Sequence, residues 1–425
     1  MHEPELVEGR RLPRRTGLRE ARDRVVLKLL GAALSRLARG RVTITLPSGA
    51  CGVFGPGGGA EAELVVRRSG LLAKSLLRGP IGFAESYMSG DFDTPDLESV
   101  FRFFVDNKAA LAEAGRGHFR VRLPDRLAHR FRRNTRRGSR RNIRAHYDLG
   151  NDFFAPWLDE TMTYSSAIFT APGVSLEAAQ EEKYARLLAA LEIAPSHDVL
   201  EIGCGWGSLA ERLARRGARV TAITISREQA AHARRRLARS GLASSAEVRL
   251  QDYRDTRGRF DRVVSVEMIE AVGEENWPRY FDVLAERLAP GGVAVVQAIT
   301  ISEELFQSYR RKTDFIQRFI FPGGMLPTER TMQERAAAAG LHFERVELFG
   351  ASYALTLDAW RRRFAAAWPR LAALGFDERF RRMWDYYLAY CKVGFEKGTI
   401  DVGFYRLRKP AEGGPVVAAA PGREV

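Results

Sequence analysis

The chain has 425 residues, 45% hydrophobic and 28% charged, and its 67 Lys and Arg against 52 Asp and Glu leave a formal net charge of +15. At about 150 residues per domain this length suits two or three globular domains, and with no run of about 18 apolar residues it excludes a membrane-spanning helix. The 3 cysteines, Cys51, Cys204 and Cys391, are too sparse and too far apart for a zinc cluster or a disulfide framework, so a reducing, cytoplasmic setting is expected.

Taken in chain order, residues 1–20 have little to bury and are expected to be disordered, with no apolar segment of the kind that precedes a signal cleavage site. From Arg22 to Arg41, the cations Arg24, Lys28, Arg36 and Arg39 are interleaved with Val26, Leu27, Leu30, Leu34 and Leu37 at near-helical spacing, the pattern of a basic amphipathic helix. Residues 21–112 read as a small α+β domain, in which the alternating runs Arg41–Leu46 and Ala62–Val66 are split by a Gly-rich turn at 55–59. Residues 113–145 read as a basic linker, with nine arginines and no acid between Arg126 and Arg144. Three or four such side chains at an anionic leaflet would supply ~3–4 kcal/mol, at ~1 kcal/mol each, enough for reversible docking. Nucleic acid would attract the same charge, but zinc-finger spacing and an RNA-recognition signature are both absent, so lipid is weighted over nucleic acid.

Beyond the linker, residues 146–408 alternate apolar strands with helices: Val199–Ile202, Val220–Ile225, Val248–Leu250, Arg262–Val266 and Val293–Ile299, then a sixth strand at His342–Leu348 and a last one near Asp401–Leu407. This rhythm predicts an α/β fold with a parallel, doubly wound sheet. The stretches 303–340 and 351–400 are long for connections, and long insertions at the carboxyl ends of strands build substrate sites. Residues 409–425, rich in Gly and Pro, are expected to form a disordered tail.

The segment Glu201-Ile-Gly-Cys-Gly-Trp-Gly207 follows the first of these strands and opens a helix. Gly203, Gly205 and Gly207 permit a sharp turn and close approach to a ligand, and the helix N-terminus offers N–H groups, so a nucleotide-like cofactor is expected here, against the backbone around Cys204. Ser208 stands where a dinucleotide fingerprint needs its third glycine, and the second strand ends in Thr224 and Ser226 without an acid for the ribose, which disfavours NAD. A strand-ending acid followed by Gly-x-Gly-x-Gly resembles the first motif of class I S-adenosylmethionine methyltransferases.

Longer strings carry a closer resemblance: Ile81-Gly-Phe-Ala-Glu-Ser-Tyr-Met-Ser-Gly90, His146-Tyr-Asp-Leu-Gly-Asn-Asp-Phe-Phe154, Thr161-Met-Thr-Tyr-Ser165, Gln251-Asp-Tyr-Arg-Asp255, Phe321-Pro-Gly-Gly-Met-Leu-Pro327 and Tyr386-Tyr-Leu-Ala-Tyr-Cys391. From about Gly79 to Leu407 the sequence resembles the cyclopropane-fatty-acyl-phospholipid synthase family. The resemblance implies a class I methyltransferase sheet whose last strand is antiparallel. It also implies transfer of a methylene unit from S-adenosylmethionine to the cis double bond of a phospholipid acyl chain. The enzyme would act peripherally, at the anionic inner face of the cell membrane, and the N-terminal domain would bind lipid or support a homodimer. On the matching positions, Tyr164 and Ser165 would hold the amino-acid end of the cofactor, Thr224 and Gln229 the ribose, and Asp252 and Tyr253 the adenine.

Attack by an alkene on a sulfonium methyl leaves a carbocation on the acyl chain, so the pocket must exclude water and offer ring faces, each stabilising a cation by ~0.5–2 kcal/mol. Phe315, Phe319, Phe321, Tyr353 and Trp360 are candidates. Ring closure needs a base, and the resemblance implies a bound bicarbonate, with Glu270, Tyr353 and Ile299 among its holders. Ser166 and Gln297 depart from the family pattern, in which Cys and His are usual, and Ala271 replaces a His; serine and glutamine still donate hydrogen bonds. Cys391 matches a cysteine once favoured as nucleophile and reads here as a core thiol. Loss of the proton elsewhere would give an exo-methylene or methyl-branched chain, and a methyltransferase acting on a soluble acyl or small-molecule substrate would share every cofactor residue.

Overall fold

Val42, Ile44, Ala62, Leu64 and Val66 are buried and alternate with more exposed neighbours, which places β1 (Gly40–Thr45) and β3 (Glu61–Val66) over a core with one face each. They pair in parallel; β1 also pairs antiparallel with β2 (Cys51–Gly57), and β3 with the short β4 (Phe92–Asp93), giving the order β2-β1-β3-β4. The computed structural model describes residues 17–115 and 149–411. They fall into two units, 17–115 with Trp368–Lys397, and 149–367 with 398–411. Most of the basic linker, the start of the His146–Phe154 string and the end of the C-terminal tail lie outside the described residues.

In the first unit the basic amphipathic segment is a helix over Gly17–Ala33, so helical structure begins inside the tail expected to be disordered and ends short of Arg41. The expected boundary at 146–408 does not hold, because helix Glu378–Glu396 belongs with this unit. Its cations meet acids far away in sequence: Arg382 pairs with Asp93, Lys392 Nζ lies 2.6 Å from Glu98 and Arg102 Nε lies 2.9 Å from Glu396. Tyr386 packs edge-on against Phe101 at 4.8 Å.

The second unit is built on β5 (Asp198–Ile202), β6 (Arg219–Thr224), β7 (Ala246–Leu250), β8 (Phe260–Val266), β9 (Leu288–Ile301), β10 (His342–Leu348) and β11 (Ile400–Arg408). The sheet order is β10-β11-β9-β8-β5-β6-β7, parallel from β9 through β7, with β11 antiparallel to both β9 and β10. Leu200, Val263, Val264, Ala294 and Val295 are fully buried, as central strands covered on both faces require. The chain moves from β5 outward to β6 and later returns to place β8 on the other side of β5. The crevice at the carboxyl end of β5 is therefore a topological switch point, where open α/β sheets bind ligands. The insertion 303–340 forms helices Glu303–Arg311 and Glu329–Ala338 with a turn of π-helix, Ile316–Ile320, between them. At the far end, Lys409 Nζ donates to the carbonyls of Ala285 (2.7 Å) and Leu288 (2.9 Å), which ties down the first residue of the expected tail. No helix among the described residues is long and apolar enough to cross a membrane.

Candidate active site

Immediately after β5 the backbone turns through Gly203 (φ 85°), Gly205 (φ 50°) and Gly207 (φ 84°), a left-handed sequence that only glycine adopts without strain. At Gly207 a Cβ would lie 2.8 Å from that of Ala233, so the glycine also permits close packing of two helices. The N–H groups of Gly203 and Cys204 donate to the Ile223 carbonyl at 2.9 and 3.0 Å, fastening the turn to β6.

This turn forms one wall of a cavity of about 170 Å³, also lined by Tyr164, Ser165, Thr224, Gln229, Asp252, Tyr253 and Glu267. The structure thus brings together every residue expected to hold the cofactor except Gly207, which lies on the same turn. Thr224 Oγ1 donates to Gln229 Oε1 at 2.9 Å. Asp252 caps the turn after β7 by accepting from the Arg254 N–H at 3.0 Å and pairs with the Arg254 guanidinium at 2.7 Å. Buried Asp159 shapes the loop before Tyr164, accepting the N–H groups of Thr161 and Thr163, both at 2.9 Å. Tyr164 is packed among Trp360, Phe154 and Trp157, with ring centroids at 5.1, 5.3 and 5.7 Å.

Two acids or phenols on this wall fit an incoming nucleoside: Glu201 Oε2 and the Tyr253 hydroxyl are buried without a hydrogen-bond partner among the described residues. Burial pushes the Glu201 carboxyl up to about 8. Fully buried Lys183, which the motifs did not single out, donates from Nζ to Ser165 Oγ at 3.0 Å and stands 3.9 Å from the Tyr184 ring. Its pKa is lowered by burial, against the opposing pull of Glu267, Asp159 and Glu201.

Of the residues expected around bicarbonate, Ser166, Gln297 and Tyr353 converge on Glu267, a side chain that the motifs did not single out, whereas Ile299 pairs with Glu270. Glu267 Oε1 accepts from the Ser166 N–H at 2.8 Å and from Gln297 Nε2 at 2.7 Å, while Oε2 accepts from the Tyr353 hydroxyl at 2.6 Å. Burial raises the Glu267 pKa; Tyr353, the Ser166 N–H, the Lys183 charge and Gln297 pull it back. Glu267 has φ 47°, a left-handed conformation that costs a non-glycine residue of order 1–3 kcal/mol and persists only when the surroundings enforce it. The available signal was its place, one residue past the carboxyl end of a central strand.

Glu270 sits behind this group and does not line the cavity. Its Oε1 accepts from the Ile299 N–H at 2.5 Å, and its buried Oε2 has no partner among the described residues. Burial, then the charge of Glu267, push its pKa up to about 8, so it is largely protonated at neutral pH. Tyr353 stands near Trp360 (6.1 Å) and Phe315 near Phe319 (5.4 Å), but Phe315, Phe319 and Phe321 do not line the cofactor cavity. Cys391 is half-buried on helix Glu378–Glu396, which belongs to the first unit.

The family described as mycolic acid cyclopropane synthetase matches residues 134–404. The tuberculostearic acid methyltransferase UfaA1 of Mycobacterium tuberculosis is 42% identical over 362 residues, covering 83% of this chain and 84% of its own length. The cyclopropane-fatty-acyl-phospholipid synthase of Escherichia coli is 36% identical over 369 residues, covering 85% and 91%. Among solved structures, the mycolic acid cyclopropane synthase CmaA1, complexed with SAH and CTAB, superposes with a TM-score of 0.60 at 33% identity, over 64% of this chain and 98% of that one. With the glycine turn and its cavity, these likenesses make the protein an S-adenosylmethionine-dependent methyltransferase of lipid acyl chains.

Proposed function

Since the chain belongs to the mycolic acid cyclopropane synthetase family, we propose that it transfers a methylene unit from S-adenosylmethionine to the cis double bond of an unsaturated phospholipid acyl chain and closes a cyclopropane ring. The observation that carries this reading is the position of Glu267, a half-buried acceptor on the wall of the cofactor cavity, held by Ser166, Gln297 and Tyr353. S-adenosylmethionine supplies an electrophilic methyl group when bound. The protein's own contributions are positioning and exclusion of water: the glycine turn, Thr224, Gln229, Asp252 and Tyr253 grip the nucleoside, and Tyr164 and Ser165 orient the amino-acid end. The ring of Tyr164 on the cavity wall, backed by Trp157 and Trp360, favours a cation over its hydration. The enzyme works from the inner face of an anionic membrane, to which its basic segments attach it.

A second reading, a methylene- or methyl-branched product, is favoured by the greater identity to the tuberculostearic acid methyltransferase than to the cyclopropane-forming relative, 42% against 36%. The cyclopropane and the exo-methylene chain arise from one cation, the second after a hydride shift and loss of a proton; a saturated methyl branch needs in addition a hydride donor such as a reduced nicotinamide. Expression in a host with unsaturated lipids tests the proposal: mass spectrometry should find acyl chains heavier by one CH2, and NMR should find ring protons. An exo-methylene signal would select the second reading, and unmodified lipid despite confirmed soluble protein would refute both.

A further inference from the structure

We propose that Glu267 is the base that removes the proton from the transferred methyl group, its carboxylate standing where the family resemblance puts bicarbonate. This rests on the proposed reaction and goes beyond it. The groups at this place are already committed: the Ser166 N–H and Gln297 Nε2 to one oxygen of Glu267 and the Tyr353 hydroxyl to the other. A bicarbonate ion would have to share these donors and would face an ionised carboxylate, a like-charge contact in a poorly solvated site. The protein therefore carries in its own chain what an exchangeable anion would otherwise supply.

Three further observations agree. Glu267 lines the cavity that also contains the cofactor turn, whereas Glu270 does not. Its backbone is held at φ 47°, which aims the side chain back toward Ser166 and Tyr353 at a conformational cost. The charges that face it are divided: Lys183 favours its ionised form and Glu270 opposes a second ionisation beside it. Burial raises its pKa, and a base works best with a pKa near the operating pH.

The step balances without a further reagent. A C–H bond of the new methyl group breaks, its proton goes to a Glu267 oxygen, and its electron pair closes onto the cationic carbon as the last ring bond. After a hydride shift the same pair would form the exo-methylene double bond. The proton then leaves to water as product departs.

Purified enzyme, unsaturated phospholipid vesicles and S-adenosylmethionine, in degassed buffer with and without added bicarbonate, provide the test. Wild-type turnover should not change on removing bicarbonate. Glu267→Gln, of the same shape but not basic, should lose about 10²–10⁴-fold in turnover, while calorimetry shows S-adenosylhomocysteine still bound. Glu267→Gly relieves the left-handed backbone and leaves a gap among the same donors, so added bicarbonate should restore turnover to it but not to Glu267→Gln. A wild-type rate that collapses without bicarbonate, or a Glu267→Gln variant that turns over normally, overturns the assignment even if Glu267→Gly fails to fold. If wild-type protein modifies no lipid under either condition, the proposed reaction itself fails, and the base with it.

Discussion

Deleting a single oxygen, in Tyr353→Phe, tests whether the charge state of Glu267 is set by its donors. The tyrosine hydroxyl donates to Glu267 Oε2 at 2.6 Å, and hydrogen bonds to an ionised group are worth about 1.5–3 kcal/mol. Phenylalanine keeps the ring and leaves that oxygen without this donor. Because the bond favours the ionised form, its loss must raise the Glu267 pKa further. The rise follows from the free energy of the lost bond. Lys183, Gln297 and the Ser166 N–H still face the carboxylate, so it remains able to ionise at higher pH. A pH–rate profile on lipid vesicles should therefore show the rising limb displaced to higher pH, with a plateau close to wild type. Urea denaturation should show a loss of about 1.5–3 kcal/mol above the limb and a smaller one below it, where Glu267 is protonated in both proteins. An unmoved limb with unmoved stability would refute the reasoning, because it would mean that the hydroxyl does not support the charge.

Gly207→Ala places a Cβ 2.8 Å from that of Ala233 at φ 84°. It should weaken S-adenosylhomocysteine binding by at least about tenfold, or cost about 1–3 kcal/mol of stability; calorimetry and thermal melting read the two. Glu270 has a folded-state pKa of about 8 against an ordinary 4.5. The native state therefore binds the extra proton between these values, and stability should fall as pH rises from about 5 to 8. Glu270→Gln should remove about 1.4 kcal/mol per pH unit of that slope, read from urea midpoints across this window; an identical slope in the variant would be inconsistent with the raised pKa. Sedimentation with vesicles should show binding that strengthens with anionic lipid and weakens as salt rises through the range where the screening length falls below about 10 Å; equal binding to neutral vesicles would exclude the electrostatic contribution.

The strands of the large sheet were legible because buried parallel strands are continuous apolar runs, and the glycine turn because its three positive-φ residues cannot be replaced freely. Strand β2 was not, since Cys51-Gly-Val-Phe-Gly-Pro-Gly57 combines residues of poor strand propensity and reads as a turn. It forms because β1 supplies a partner across Gly40 to Thr45. The membership of helix Glu378–Glu396 in the first unit was hidden for a similar reason. Its partners, Asp93, Glu98 and Phe101, lie almost 300 positions away, and no local pattern records such pairings. The same distance concealed Glu267. The sequence marks Ser166, Gln297 and Tyr353 one by one, but that they meet on one carboxylate follows only when loop, sheet and helix are assembled.

That assembly also accounts for the balance of charge around the cavity. Glu267, Asp159 and Glu201 act on the buried Lys183 against the charge of Arg212, and the Asp159 carboxylate is already engaged by the backbone of its own loop. With the lysine pKa lowered by burial and the glutamate pKa values raised by it, the site alone holds fewer charges than its residue types suggest. A positively charged sulfonium in such a cavity would favour ionisation of Glu201 and Glu267, which line it, whereas the neutral thioether left after methyl transfer would not. In the proposed reaction the same carboxylates would then act on the cation on the acyl chain. The surplus of basic residues in the sequence as a whole is reversed here: the cavity is lined by Glu201, Asp252 and Glu267 against Arg254, an excess of acid suited to the cation of the proposed reaction.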